Sequence, residues 1–141
     1  DLHSFPTRRS SDLVVDDYKI ARALEVMDYE VRQPQTDFWW WADALYMAMP
    51  VFTKLYKATG DVKYLDKLYD NFKWADELMY DKQEQLYYRD AKYIYPKVKT
   101  STGGKSFWAR GDGWVLAGLA KVLSDMPADY KNRAFFAVVP F

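Results

Sequence analysis

Two short stretches hold the side chains best suited to chemistry. The first is Phe38 to Met47, FWWWADALYM, where a single carboxylate, Asp43, stands among aromatic and apolar residues. On a helix, Asp43 shares a face with Trp39 and Trp40 behind it and with Tyr46 and Met47 ahead. An acid set in an apolar wall has its charged form disfavoured, so it is expected to hold its proton near neutral pH and act as a donor. A buried aspartate that caps a helix or accepts a structural hydrogen bond fits the same pattern. The second stretch is Phe107 to Trp114, FWARGDGW. Arg110 can grip a carboxylate through two parallel hydrogen bonds, and Trp114 can stack on a ring. Gly111 and Gly113 permit unusual backbone angles and close approach to a ligand. An Arg110–Asp112 turn pair with Trp114 in the core fits equally well.

Other chemistries are poorly supplied. The 141-residue chain has no cysteine and one histidine, His3. Disulfides and thiolate metal sites are therefore excluded. The acids show no ligand spacing, and neither a metal nor a cofactor is expected. Residues 3–13, HSFPTRRSSDL, show neither helical nor alternating periodicity. They read like a translated sequencing-library adapter. Residues 1–13 are accordingly expected to be a non-native tail, which removes His3 from the chemistry and implies that natural sequence is missing before it. Twenty basic residues balance twenty acidic ones. No long-range field draws nucleic acid or an anionic membrane. No apolar run is long enough to span a bilayer, and a cytoplasmic address is favoured. Gly103-Gly104 lacks the flanking pattern of a phosphate loop. The 18% aromatic content suits stacking on sugar rings, and it also suits a tightly packed helical fold.

The elements that must position these side chains read as helices. From Val15 to Arg32, Ile20, Leu24, Met27 and Val31 recur at spacings of three and four, and Pro34 ends the pattern. Thr36 or Asp37 can cap the next helix, expected over 38–58 with Met47, Val51, Leu55 and Ala58 on one face. Pro50 should kink that helix or mark its effective start. Gly60 suits a helix C-terminus, and Asp61 can cap a third helix, expected over 62–80. Leu65, Leu68, Tyr69, Phe72, Ala75 and Met79 mark its broad apolar face, with Asp76 the lone charge. Leu86–Tyr88 and Tyr93–Tyr95 read as extended segments or an ordered loop, followed by an exposed loop over 97–105. A further helix starts near Val115, with Gly118 placed to permit close packing. Residues 135–141, FFAVVPF, are apolar without break. They fit a buried strand or a displaced reading frame, and the end of the chain is doubtful.

Three stretches, WWWADALYMAMPVF, KATGDVKYLD and FWARGDGWVLAGLAKVL, together resemble glycoside hydrolase family 105, the unsaturated rhamnogalacturonyl hydrolases, with the unsaturated glucuronyl hydrolases as relatives. The resemblance covers residues from about 20 to 133. It implies an all-α fold, a partial (α/α)6 barrel over 14–134, which matches the middle of a ring of helical hairpins and cannot close that ring alone. It also implies removal of an unsaturated uronic acid from pectin-derived oligosaccharides by hydration of the C4=C5 double bond. Asp43 occupies the position of the proton donor. Trp41, Met47, Tyr88, Arg110 and Trp114 are the implied substrate contacts. The partner implied is an unsaturated uronyl oligosaccharide, with no nucleic acid, membrane or metal, and no oligomeric state assigned. Two positions depart from the family pattern: Asp112 stands where Asn is usual, and Tyr88-Arg89 stands where some relatives carry His. The competing readings are a non-catalytic helical-repeat interaction module and a saccharide-binding module. The chain alone is expected to be inactive.

Overall fold

The computed structural model describes residues 10–137, with the side chains of Tyr18 and of residues 21–137. His3, the first nine residues of the adapter-like tail and residues 138–141 lie outside the described residues. Six helices and one small β-ribbon are present among those described. The chain divides into two compact units, one ending at Gln33 and the other beginning at Pro34.

The first unit holds α1, Ser10–Arg32. It starts earlier than the periodicity indicated, because no Pro or Gly interrupts the chain between Pro6 and Pro34. Its end falls two residues before Pro34, as expected.

In the second unit the single helix expected over 38–58 is two helices. They are α2, Ala42–Met47, and α3, Met49–Thr59, with Ala48 between them and Pro50 in the first turn of α3. Pro50 therefore marks a start, where its missing N–H costs nothing. The break shifts the helical phase. Met49, Phe52 and Leu55 are buried on α3, while Met47 is 61% exposed. The tryptophan run is not helical. Trp41 is extended, with φ −141° and ψ 150°, and neither Thr36 nor Asp37 caps α2. The amide of Ala42 instead donates to the carbonyl of Arg89 at 2.8 Å.

The hairpin joint is as expected. Gly60 takes the left-handed conformation, φ 74°, at the end of α3. Asp61 Oδ1 accepts the Lys63 amide at 3.0 Å at the start of α4, Lys63–Met79. Leu65, Leu68, Phe72, Ala75 and Met79 of α4 are fully buried. Each of the larger of these side chains stabilises the unit by roughly 1.5–3 kcal/mol relative to exposure. Strands β1, Tyr80–Asp81, and β2, Leu86–Tyr87, then pair antiparallel. The Tyr93–Tyr95 run is turn and bend, not strand.

Helix α5, Ala109–Asp125, begins six residues before the expected start and takes in Arg110 to Trp114. Gly118 has no room for a side chain, since a Cβ would collide with the carbonyl oxygen of Leu45. That close approach seats α5 on α2. Lys54 and Lys57 of α3 pair with Asp125 at 2.6 and 3.0 Å and join α3 to the end of α5. Phe135 and Phe136 lie in α6, Arg133–Ala137, not in a strand. Phe136 stacks on Phe72 at 5.2 Å and 17°. No helix among the described residues is long and apolar enough to cross a membrane.

Candidate active site

Asp43 lies in the first turn of α2 and is half-buried. Its place depends on a backbone clamp. Trp41 and Asp90 form an antiparallel bridge, closed by the Ala42 amide on the Arg89 carbonyl and the Ala91 amide on the Trp40 carbonyl. This clamp carries Arg89 to the same wall as Asp43. From the other direction, the N-terminus of α5 brings Trp108 and Arg110. The result is a cavity of about 540 Å³ lined by Asp43, Arg89, Tyr93, Ser106, Phe107, Trp108 and Arg110.

The wall around the acid is thus mixed. It is not the apolar one that a helical face of Trp39, Trp40, Tyr46 and Met47 would make. Because the tryptophan run is not helical, Trp39 and Trp40 do not share one helical face with Asp43. Trp39 is buried edge-on against Phe52, while Trp40 and Trp41 pack on each other at 5.0 Å. Two guanidiniums share the cavity wall with Asp43. Arg110 lies over the Trp108 ring at 4.8 Å. Arg89 lies over Tyr93 at 4.9 Å, donates to its hydroxyl at 3.1 Å, and pairs through Nε with Asp90 at 3.4 Å. Stacking on an aromatic face orients a guanidinium without using up its hydrogen-bond donors.

Of the expected site residues, Asp43 and Arg110 come together on this wall, and the other four do not line it. Trp41 supplies the backbone clamp. Met47 is exposed at the end of α2. Trp114 packs on Tyr46 at 4.5 Å, joining α5 to α2. Tyr88 is buried behind Phe107, stacked at 4.8 Å and 29°. Its hydroxyl donates to Asp81 at 2.9 Å. Burial and that carboxylate both raise its pKa. Arg89, Tyr93, Ser106, Phe107 and Trp108 were not anticipated. Phe107 and Trp108 could have been, since they open the same motif as Arg110. Nothing in the sequence pairs residue 89 with residue 42.

Of the motif's two glycines, only Gly111 serves packing. A Cβ on Gly111 would come within 2.6 Å of the Trp108 ring, and Gly113 is exposed with open space around it. Nor does Asp112 turn toward Arg110. Its Oδ1 accepts the Tyr87 amide at 2.7 Å, tying α5 to β2, and its buried Oδ2 has no partner. Burial raises the Asp112 pKa, partly offset by that amide. The Tyr87 hydroxyl in turn donates to Asp76, whose pKa burial also raises. No cluster of three or more His, Cys, Asp or Glu able to hold a metal occurs among the described residues.

The family model for glycosyl hydrolase family 88 matches residues 13–140. The chain belongs to glycosyl hydrolase family 88. An unsaturated 3S-rhamnoglycuronyl hydrolase from Formosa agariphila is 42% identical over 106 residues, which is 72% of this chain and 28% of that protein. A solved structure described as a polysaccharide lyase is 56% identical, with a TM-score of 0.86 over 91% of this chain and 36% of its own. A family 105 glycoside hydrolase from C. acetobutylicum is 27% identical, with a TM-score of 0.57 over 70% of this chain and 28% of its own. The chain therefore spans little more than a quarter of the length of the curated relative. The resemblance to the family 88 and 105 enzymes holds, and with it the fold class: all-α, a portion of an (α/α)6 barrel.

Proposed function

We propose that the full-length protein bearing this chain is a glycosidase that releases an unsaturated uronic acid from the non-reducing end of an oligosaccharide. The name of the Formosa relative, a rhamnoglycuronyl hydrolase, supports rhamnose as the leaving sugar, and rhamnogalacturonan fragments are the source that the family resemblance implies. The observation that carries the proposal is the placement of Asp43 and Arg110 on one cavity wall. Arg110 holds the uronate carboxylate, and Arg89 adds a second positive charge at the same wall.

In this reaction the Asp43 carboxyl donates its proton to C4 of the C4=C5 double bond. The positive charge that develops at C5 is shared with the ring oxygen. A water molecule adds its oxygen to C5, and its proton passes to the Asp43 carboxylate, which restores the acid. The resulting hemiketal opens and expels the neighbouring sugar. Phe107, Trp108 and Tyr93 give the sugar apolar faces to rest on.

The test is the ultraviolet absorbance of the conjugated uronate. Full-length protein mixed with pectin-lyase products should bleach it, and Asp43→Asn should slow the bleaching by about 10²–10⁴-fold. An Asp43→Asn protein as fast as wild type would remove the proposed donor. A rise in absorbance on intact polymer would instead indicate bond-cleaving elimination, the activity named for the lyase relative.

A further inference from the structure

Three buried tyrosines give their hydroxyl proton to a carboxylate: Tyr87 to Asp76, Tyr88 to Asp81 and Tyr130 to Asp66. Tyr93, on the cavity wall, is met from the opposite side. Its oxygen accepts from Arg89 Nη1 at 3.1 Å. A phenol that accepts still has one proton to give. No described residue takes that proton, and this includes Asp43 and Ser106, which line the same cavity.

The frame that holds Tyr93 is the one that places Asp43. The Tyr93 amide donates to the Asp90 carbonyl at 3.0 Å, and the Lys92 amide to Asp90 Oδ1 at 2.8 Å. Asp90 in turn bridges to Trp41, two residues before Asp43. Arg89 is fixed from behind by Asp90, at 3.4 Å from Nε, and by its stack on the Tyr93 ring. A hydroxyl that accepts from a guanidinium has its own O–H polarised and donates more strongly. Such a donor favours an electron-rich oxygen, and a ligand without one leaves it unpaired.

We propose that Tyr93 is a specificity residue whose hydroxyl donates to an exocyclic oxygen, hydroxyl or carboxylate, of the uronyl ring bound beside Asp43. The inference rests on the function proposed above. The ring oxygen is not the acceptor. Positive charge develops there as C4 takes up its proton, and a donor aimed at it would oppose the reaction.

The experiment uses the full-length protein with Tyr93→Phe, which keeps the ring under Arg89 and removes the O–H. The substrates are an unsaturated uronyl disaccharide, its 2-deoxy and 3-deoxy forms, and the form with a methyl group in place of the carboxylate. On the parent disaccharide Tyr93→Phe should raise KM by about three- to tenfold, with a smaller effect on kcat. On the one analogue that lacks the acceptor, Tyr93→Phe and wild type should have equal KM. No loss on the parent, or a loss of the same size on all four substrates, would overturn the proposal. Arg89→Gln separates direct contact from an effect passed through the guanidinium. The Tyr93→Phe loss should persist in the Arg89→Gln background, and its disappearance there would leave Tyr93 a mere support for Arg89. Calorimetry with a saturated uronyl disaccharide, which has no double bond to hydrate, reads binding alone. Binding that weakens in Tyr93→Phe supports the contact even if turnover is absent, and binding indifferent to the hydroxyl overturns it.

Discussion

At the scale of single residues, the site depends on how two guanidiniums are held. Arg110 is exposed and rests on Trp108, so its donors are available to a ligand. Lysine at this position keeps the charge but loses the planar fork and the stacking. Arg110→Lys should therefore raise KM for an unsaturated uronyl substrate by about tenfold, a cost of about 1.4 kcal/mol, with a smaller effect on kcat. Steady-state kinetics on the full-length protein checks this, and an unchanged KM would move the uronate to Arg89. Asp112 presents a different case. Its buried Oδ2 is unpartnered, so ionising it in the folded state is costly. Asn is the usual residue in the resembling family. Asparagine keeps the acceptor for the Tyr87 amide and removes the charge. Asp112→Asn should raise stability at neutral pH and leave it unchanged in acid, where Asp112 carries its proton. Urea unfolding at two pH values tests this.

At the scale of elements, the contact of α5 on α2 sets the distance between Arg110 and Asp43. It passes through Gly118, which lies against the Leu45 carbonyl. A methyl group there cannot be absorbed by a flexible side chain, because the obstacle is backbone. Gly118→Ala should cost about 1–3 kcal/mol through overpacking, more than the up to about 1 kcal/mol that alanine's helix propensity would return. Denaturant unfolding measures the loss, and a stabilised Gly118→Ala protein would show that the helices can part. Close approach is also why α5 tolerates glycine inside a helix. Each glycine weakens it by up to about 1 kcal/mol, yet Gly111 admits the Trp108 ring and Gly118 admits a neighbouring helix.

At the scale of the whole molecule, the titrating groups pull in opposite directions. Burial works to raise the Asp81 pKa, but the Lys105 ammonium, the Glu84 and Gln83 amides and the Tyr88 hydroxyl outweigh it and hold the carboxyl at about 2. The Asp125 pKa is also lowered, chiefly by Lys54. These two contribute stability that is present above the ordinary carboxylate range and lost as pH falls through it. Asp76 and Asp112, raised by burial, contribute stability that is present in acid and lost as pH rises through their folded values. Asp81→Asn should therefore cost stability at neutral pH, with the gap to wild type closing between about pH 4 and pH 2. The Asp112→Asn gap should have the opposite sign. Thermal unfolding from neutral pH down to about pH 2 would expose any error of sign in either gap.

Much of this molecule was legible in its residue pattern. Helical spacing located α1 and α4, Gly60 located the hairpin joint, and the two motifs carrying Asp43 and Arg110 named the cavity wall on which both stand. Those are local matters: a left-handed residue or an apolar period is written within a few neighbours. The break before α3 was legible in Pro50, but the extended Trp41 and the early start of α5 were not. Each is decided by a partner distant in the chain, whether the Arg89 carbonyl on the Ala42 amide, the Leu45 carbonyl on Gly118 or the Tyr87 amide on Asp112. Side-chain types thus determined what chemistry was on offer. Which of them face one another was decided only by backbone hydrogen bonds and helix contacts that close across tens of residues, because such pairings leave no period in the sequence.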